Sequence, residues 1–100
     1  MKNYDLTLAA EEDLRGIWEY SCETWGIGQA DRYLDQIEAC CEAIGNDQAR
    51  SKAHDALPDD VRVYRCEHHY LFWLLIGARP IILAILHERM DPVNRLKDRL

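Results

Sequence analysis

The 100-residue chain has only five glycines, three prolines and two methionines, and no surplus of basic charge: twelve Lys and Arg stand against eighteen Asp and Glu. Each shortage excludes something. With so little Gly and Pro the chain is neither collagen-like nor a low-complexity linker. A formal charge of -6 argues against broad phosphate-backbone binding, which needs a basic footprint, so no direct nucleic-acid contact is expected. No apolar run reaches the ~20 residues of a membrane-spanning helix. Arg79 and Pro80 split the longest one, Tyr70–Leu86, and Asp5, Glu11, Glu12 and Asp13 interrupt anything resembling a signal peptide. Cys22, Cys40, Cys41 and Cys66 show no CxxC spacing, and the adjacent pair Cys40-Cys41 is a poor candidate for a structural disulfide. They read as buried free thiols, which agrees with a cytoplasmic setting. The phosphate-binding glycine motifs and the nucleophile elbow are missing as well, and no cofactor is expected.

What is present is enough for one domain over residues 1–100, with 48% apolar residues and a core of its own. The charge is uneven. Through Arg50, four Lys and Arg face eleven Asp and Glu; from Ser51 onward eight face seven. An acidic first half points to a protein partner.

Lys2–Leu6, with Tyr4 and Leu6 on one side, suits a first edge strand. Thr7 is a good N-cap for a helix whose stripe is Ala10, Leu14, Ile17/Trp18, Ser21/Cys22 and Trp25, ended by Gly26. Gly28 opens a second helix with Ala30, Tyr33/Leu34, Ile37, Cys40/Cys41 and Ile44 inward, ended by Gly45. A connector as short as Gly26-Ile27-Gly28 predicts a tight antiparallel helical hairpin. Asn46–Asp60 has no periodicity and reads as a loop, with room for one helical turn around Ser51–Leu57. Strands follow at Val61–Cys66, Tyr70–Ile76 and Ile81–Leu86, and the charged end Asn94–Leu100 forms a loose turn or helix. The order β-α-α-β-β-β predicts an α+β fold with the helical hairpin on one face of a mainly antiparallel sheet.

The central strands do not alternate apolar with polar residues, so both sheet faces want to be dry. Parity separates them. Across an even Gly77–Pro80 turn, Tyr70, Phe72, Leu74 and Ile76 share a face with Ile81, Leu83, Ile85 and His87, and Arg89 continues the row. An even turn before Tyr70 adds Val61, Val63, Arg65 and Glu67, whereas a three-residue turn would reverse that strand. Leu71, Trp73, Leu75, Ile82, Ala84, Leu86, Tyr64 and Cys66 make the better core under the helices. Trp18, Trp25 and Trp73 read as core packing, and Tyr20 and Tyr33 as half-buried. Two helices dry one face only, so the other is expected to be an apolar docking floor for a partner strand or helix. Its candidate contacts are Val63, Arg65, Tyr70, Phe72, Leu74, Leu83 and Ile85. His68 and His69 point opposite ways on a strand, and Cys66 with His68 supplies two ligands where zinc wants four, so no metal is expected.

Several stretches together resemble the ParE toxins of the RelE/ParE superfamily of bacterial type II toxin–antitoxin modules. They are the Tyr4–Leu6 strand leading into Asp13-Leu14 and Ile17-Trp18-Glu19-Tyr20, Trp25-Gly26 at the hairpin corner, Tyr64-Arg65, and His69-Tyr70-Leu71-Phe72-Trp73. The closing Ile85-Leu86-His87-Glu88-Arg89-Met90-Asp91 is the most specific. The resemblance implies the helical-hairpin-on-sheet fold, a cytoplasmic toxin, and a ParD-like antitoxin that wraps a flexible segment around it. It also implies that the free toxin poisons DNA gyrase without catalysis, with His87, Arg89, Met90 and Asp91 at the inhibiting surface. The competing chemistry is a RelE-like ribosome-dependent mRNA endonuclease, which needs a base, an acid and cations on the phosphate. Glu67 or His87 would be the base, and Arg65, Arg89 and Arg62 the clamps. A third reading is a module of the same fold that has lost toxicity and only binds.

Overall fold

Four strands run in the order β1-β4-β3-β2 in the computed structural model, which describes residues 3–49, 51–77 and 79–100. The elements are β1 (Asp5–Leu6), α1 (Leu8–Trp25), α2 (Ile27–Gly45), β2 (Val61–Cys66), β3 (His69–Ile76) and β4 (Arg79–His87), then a 3₁₀ turn at Glu88–Met90 and α3 (Pro92–Arg99). This is the expected α+β fold. The β2–β3 and β3–β4 pairs are antiparallel, and only the two-residue β1 runs parallel to β4. The expected strand start at Lys2 and the turn residue Ala78 lie outside the described residues.

Local chemistry sets the helix ends. The Thr7 side chain accepts from the Ala10 amide at 3.1 Å, with Glu11 in the positive first turn. Gly26 has φ 92°, a left-handed conformation that side chains resist, and it alone links the two helices, with α2 starting at Ile27. Pro92 sits in the first turn of α3, where its missing amide costs nothing.

Two apolar clusters sandwich the sheet. Under α1 and α2 lie Tyr4, Ala10, Ile37, Cys41, Ile44, Cys66, Leu71, Trp73, Ile82 and Ile85. On the opposite face Leu57, Val61, Phe72, Ala84, Leu86 and Leu96 form a second buried cluster. That second face was expected to be open. It is closed by α3, whose Val93 and Leu96 lie three residues apart on one side of the helix, and by Leu57 from the loop. Phe72 and Leu96 are fully buried.

The parity expectation fails at one residue. Trp73 pairs with Ile82 but Phe72 pairs with Ala84, so Leu83 is an extra residue in a β-bulge. Beyond it the two faces of β4 exchange. Ile85 opposes Leu71 on the helix side, and His87 opposes His69, while Ala84 and Leu86 join the second cluster. Upstream the expected assignment holds, with Arg65 opposite Tyr70 and Val63 opposite Phe72 across the two-residue turn Glu67-His68. Leu75, expected in the core, is 56% exposed near the hairpin end.

Two more expectations are corrected. Cys40 and Cys66 form a disulfide. Adjacency prevents Cys40 and Cys41 from joining each other, but α2 lies over the end of β2 and brings the Cα atoms of Cys40 and Cys66 to 6.3 Å, a spacing a disulfide spans. The thiol-based argument for a reducing compartment therefore falls away. Only Trp73 of the three tryptophans is buried; Trp25 is 61% exposed, and Trp18 is 38% exposed, its Nε1 donating to Asp31 of α2 at 3.1 Å. Tyr20, expected to be half-buried, is exposed, whereas Tyr33 is half-buried. Among the described residues, no helix is long and apolar enough to cross a membrane.

Candidate functional site

The helical hairpin and the far end of the sheet enclose an open cleft of about 1000 Å³. Helix α1 supplies one wall through Asp13, Gly16, Ile17 and Tyr20, residues three and four apart that share a face. Helix α2 supplies Gln29, Tyr33 and Gln36 by the same spacing. The opposite side is the β2–β3 turn, Glu67 to His69, and the stretch Ile85 to Met90 that leaves β4. A Cβ added at Gly16 would meet no atom within 4 Å, so the α1 wall is recessed there. At the mouth, Tyr20 and Trp25 pack edge to face with ring centres 6.0 Å apart and stay mostly exposed.

Three of the four histidines gather here. His69 is buried, and its Nδ1 lies 2.6 Å from the Tyr33 hydroxyl. Burial, with His87 and His68 close by, pulls the His69 pKa down to about 4. The ring is therefore neutral at pH 7 and accepts the Tyr33 proton at Nδ1. Burial also raises the Tyr33 hydroxyl pKa, so Tyr33 remains the donor. His87 accepts the Arg89 amide at Nδ1, 3.1 Å away, and its ring stands perpendicular to His69 at 5.0 Å between centres. Glu88 bridges His68 at 2.8 Å and Arg65 at 2.7 Å. The His68 hydrogen bond, and after it the Arg65 charge, holds the Glu88 carboxyl below its ordinary range. Among the described residues, no three His, Cys, Asp or Glu side chains are arranged to hold a metal ion. The result is an amphipathic trough lined by the apolar Ile17 and Met90, the aromatic Tyr20 and Trp25, the acidic Glu12 and Glu67, and Arg89, with the almost fully buried Ile85 and Leu86 only bordering it.

A family model described as "ParE toxin of type II toxin-antitoxin system, parDE" matches residues 4–92. The chain belongs to the ParE toxin family. It is 43% identical to Toxin ParE of Escherichia coli over 101 residues, covering 100% of this chain and 98% of that protein. It is 32% identical to Toxin ParE1 of Caulobacter vibrioides over 91% of this chain and 94% of the relative. A solved structure titled "Chromosomal ParDE TA system from P. aeruginosa" matches with a TM-score of 0.75 at 20% identity, over 87% of this chain and 96% of that one. That structure shares the fold.

In this ParE-family chain the residues expected at one site divide between two. Glu67, His87, Arg89 and Met90 line the cleft. Ile85 also borders it, but its side chain is 2% exposed and belongs to the core under the helices. Val63, Tyr70, Leu74 and Leu83 pack half-buried on the opposite face, and Phe72 there has no exposed surface. Phe72 and Ile85 therefore offer a partner no surface, because α3 covers the first and the bulge turns the second inward. Arg65 is exposed on the hairpin edge, held by Glu88 and 6.0 Å from the Tyr70 ring centre. Asp91 takes the left-handed conformation at the start of α3 and accepts from the Asn94 side chain at 2.7 Å. Among the described residues no ion pair joins it to Arg89. Sequence reasoning missed Tyr33, His69, Tyr20, Trp25 and Gly16. The available signals were three histidines within twenty residues and a glycine inside a helix.

Proposed function

We propose that this chain is the toxin of a ParDE-type module, that a ParD-like antitoxin lays an amphipathic segment into the cleft, and that the free toxin inhibits DNA gyrase by binding, without catalysing a reaction. The cleft carries the proposal. It is a large concavity bordered by exposed aromatic side chains, while the second sheet face is already dry beneath α3. Family membership supports the toxin class, and a structural relative titled as a ParDE system supports an antitoxin partner. His87, Arg89 and Met90, at the open end of the trough, with Asp91 beside them, are the proposed gyrase-facing group. A nuclease role has less support. Of its candidate groups, Arg65 is tied to Glu88, and His87 Nδ1 already accepts the Arg89 amide.

The acidic helical hairpin, from Asp13 to Glu42, calls for Lys and Arg on the antitoxin segment. Affinity should fall as salt rises, and salt-insensitive binding would remove this element. Gly16→Leu places a side chain in open space within the trough. It should weaken binding of the cognate ParD-like protein at least tenfold while thermal stability is kept; unchanged affinity would place the docking surface elsewhere. Purified toxin should inhibit gyrase supercoiling or trap cleavage complexes. Cuts in mRNA on translating ribosomes would favour the endonuclease instead, and inactivity in both assays with tight antitoxin binding would favour a detoxified module.

A further inference from the structure

Three residues of α2 make contacts down the seam with the β2–β3 hairpin. Tyr33 reaches His69 Nδ1 at 2.6 Å and the His68 amide at 3.4 Å, Gln36 sets its carbonyl oxygen 3.6 Å from the Cys66 sulfur, and Cys40 is bonded to that same sulfur. Positions 33, 36 and 40 follow helical spacing, so the covalent tie continues the polar contacts that form the cleft's inner corner. Cys66 is the last residue of β2. The next residue, Glu67, has φ 55°, a conformation that β-carbon-bearing residues resist, and with His68 and His69 it lines the cleft. The two cysteines differ in exposure: Cys66 is 4% exposed, whereas Cys40 is only partly buried. Cys41, the neighbouring thiol, is 1% exposed in the core under the helices.

We propose that Cys40 is a thiol–disulfide exchange site, through which a small thiol couple such as glutathione locks and unlocks the corner of the cleft. The inference rests on the cleft being the docking site only for its consequence, not for the exchange itself. A thiolate attacks the sulfur of Cys40, the more exposed of the two residues, forming a mixed disulfide, and the Cys66 sulfur leaves with the electron pair and takes a proton. As a thiol it can donate toward the Gln36 carbonyl, which a disulfide sulfur cannot. A second glutathione thiolate attacks the glutathione sulfur of the mixed disulfide and frees Cys40. In sum, the protein disulfide gains two electrons and two protons, and two glutathione molecules become one glutathione disulfide. Oxidation by glutathione disulfide runs the same steps backward.

The test equilibrates the purified full chain in graded mixtures of reduced and oxidised glutathione, then quenches with acid, alkylates, and maps the cysteines by mass spectrometry. Hydrogen exchange is read on both end states. The expected result is a two-electron transition assigned to Cys40–Cys66, with mixed disulfide on Cys40 and not on Cys66. Reduction should speed amide exchange at Glu67–His69 by at least tenfold and lower Tm by roughly 10 °C or more. Cys40→Ser and Cys66→Ser should match the reduced form and ignore glutathione, whereas Cys22→Ser and Cys41→Ser should still show the transition. A bridge mapped to Cys41, no bridge in excess glutathione disulfide, or equal exchange at Glu67–His69 in both states would overturn the proposal. If exchange changes but the cognate ParD-like protein binds both states equally, the redox lock stands and docking in the cleft fails.

Discussion

Replacing Asp13 should cost more stability than its position on the flank of a helix implies. Strand β4 pairs with β1 only at Ile81 and Ile82. Past that point its outer edge would present bare backbone groups, and such edges invite pairing with other chains. Side chains seal it instead. The Thr7 hydroxyl donates to the Leu83 carbonyl at 3.3 Å, Arg99 donates to the same oxygen at 3.2 Å, and the Asp13 carboxylate accepts the Ile85 amide at 2.9 Å. Arg99 also grips both Asp13 oxygens at 2.8 Å, and this raises the guanidinium pKa further. The Asp13 side chain is 13% exposed and that of Arg99 31%. An amide hydrogen bond to a charged acceptor contributes about 1.5–3 kcal/mol net. A partly exposed ion pair adds about 0.2–1 kcal/mol. Asp13→Ala should therefore destabilise by roughly 2–4 kcal/mol, or about 10–25 °C in Tm for a domain of this size. Asp13→Asn keeps an oxygen for the Ile85 amide and should cost only about 1 kcal/mol, and Arg99→Ala should fall in the same range. Urea unfolding of the three variants with the disulfide intact measures the order. Equal losses for Arg99→Ala and Asp13→Ala would show that the ion pair, not the strand edge, carries the effect. A loss below about 0.5 kcal/mol for Asp13→Ala, the range of ordinary surface changes, would refute the sealing argument.

Protonation of His69 should erode stability in acid. Its folded pKa of about 4 lies below the ordinary 6.5, so the unfolded chain binds the proton more readily. The contribution is complete above pH 6.5 and is lost as pH falls toward 4. Urea midpoints should already drop between about pH 6.5 and 5, where ordinary carboxylates are still mostly ionised, and His69→Gln should flatten that slope; an unchanged slope would exclude His69 as its source. Leu96→Ala should remove the anchor of α3 and cost about 2–5 kcal/mol by equilibrium unfolding, with faster amide exchange across Pro92–Arg99. Gly45→Ala should destabilise despite alanine's higher helix propensity, by about 1–3 kcal/mol, because the new Cβ would strike the Asn3 side chain and lie 2.7 Å from the Asn3 carbonyl oxygen. A stabilised Gly45→Ala protein would show that this segment moves aside freely.

Element order was legible because its signals are local. Thr7, Gly26, Gly45 and Pro92 each act within a turn of helix, and the alternation of Val61–Cys66 needs only its own neighbours. The length of the turn after Cys66 was not fixed in this way, since three residues separate Cys66 from Tyr70 and both an even and a three-residue turn fitted that gap. The surface was harder to read. The apolar surplus of β3 and β4 correctly indicated two dry faces, yet the cover for the second came from Val93 and Leu96, two apolar residues in a charged segment. The Cys40–Cys66 bond depends on how α2 crosses β2, which no cysteine spacing encodes. Trp25 and Tyr20 sit at positions compatible with a buried stripe, but α1 meets the sheet through Ala10, Leu14, Ile17 and Ser21, and its far end overhangs the core. The cleft arises from that overhang, and its residues come from four separate stretches of chain.

The bulge at Leu83 makes β4 a strand in which counting matters more than chemistry. Most of its residues are aliphatic and could be exchanged for one another at modest cost. Removing one residue between Ile82 and Ala84 would leave composition and hydrophobicity almost unchanged. It would nonetheless rotate everything downstream by half a pleat, carrying Ile85 out of one core and His87 to the opposite side of the sheet. Substitution scans of this strand would therefore understate its information content. A single-residue deletion at Leu83 would expose it, because the histidine cluster is held in phase by one unpaired residue.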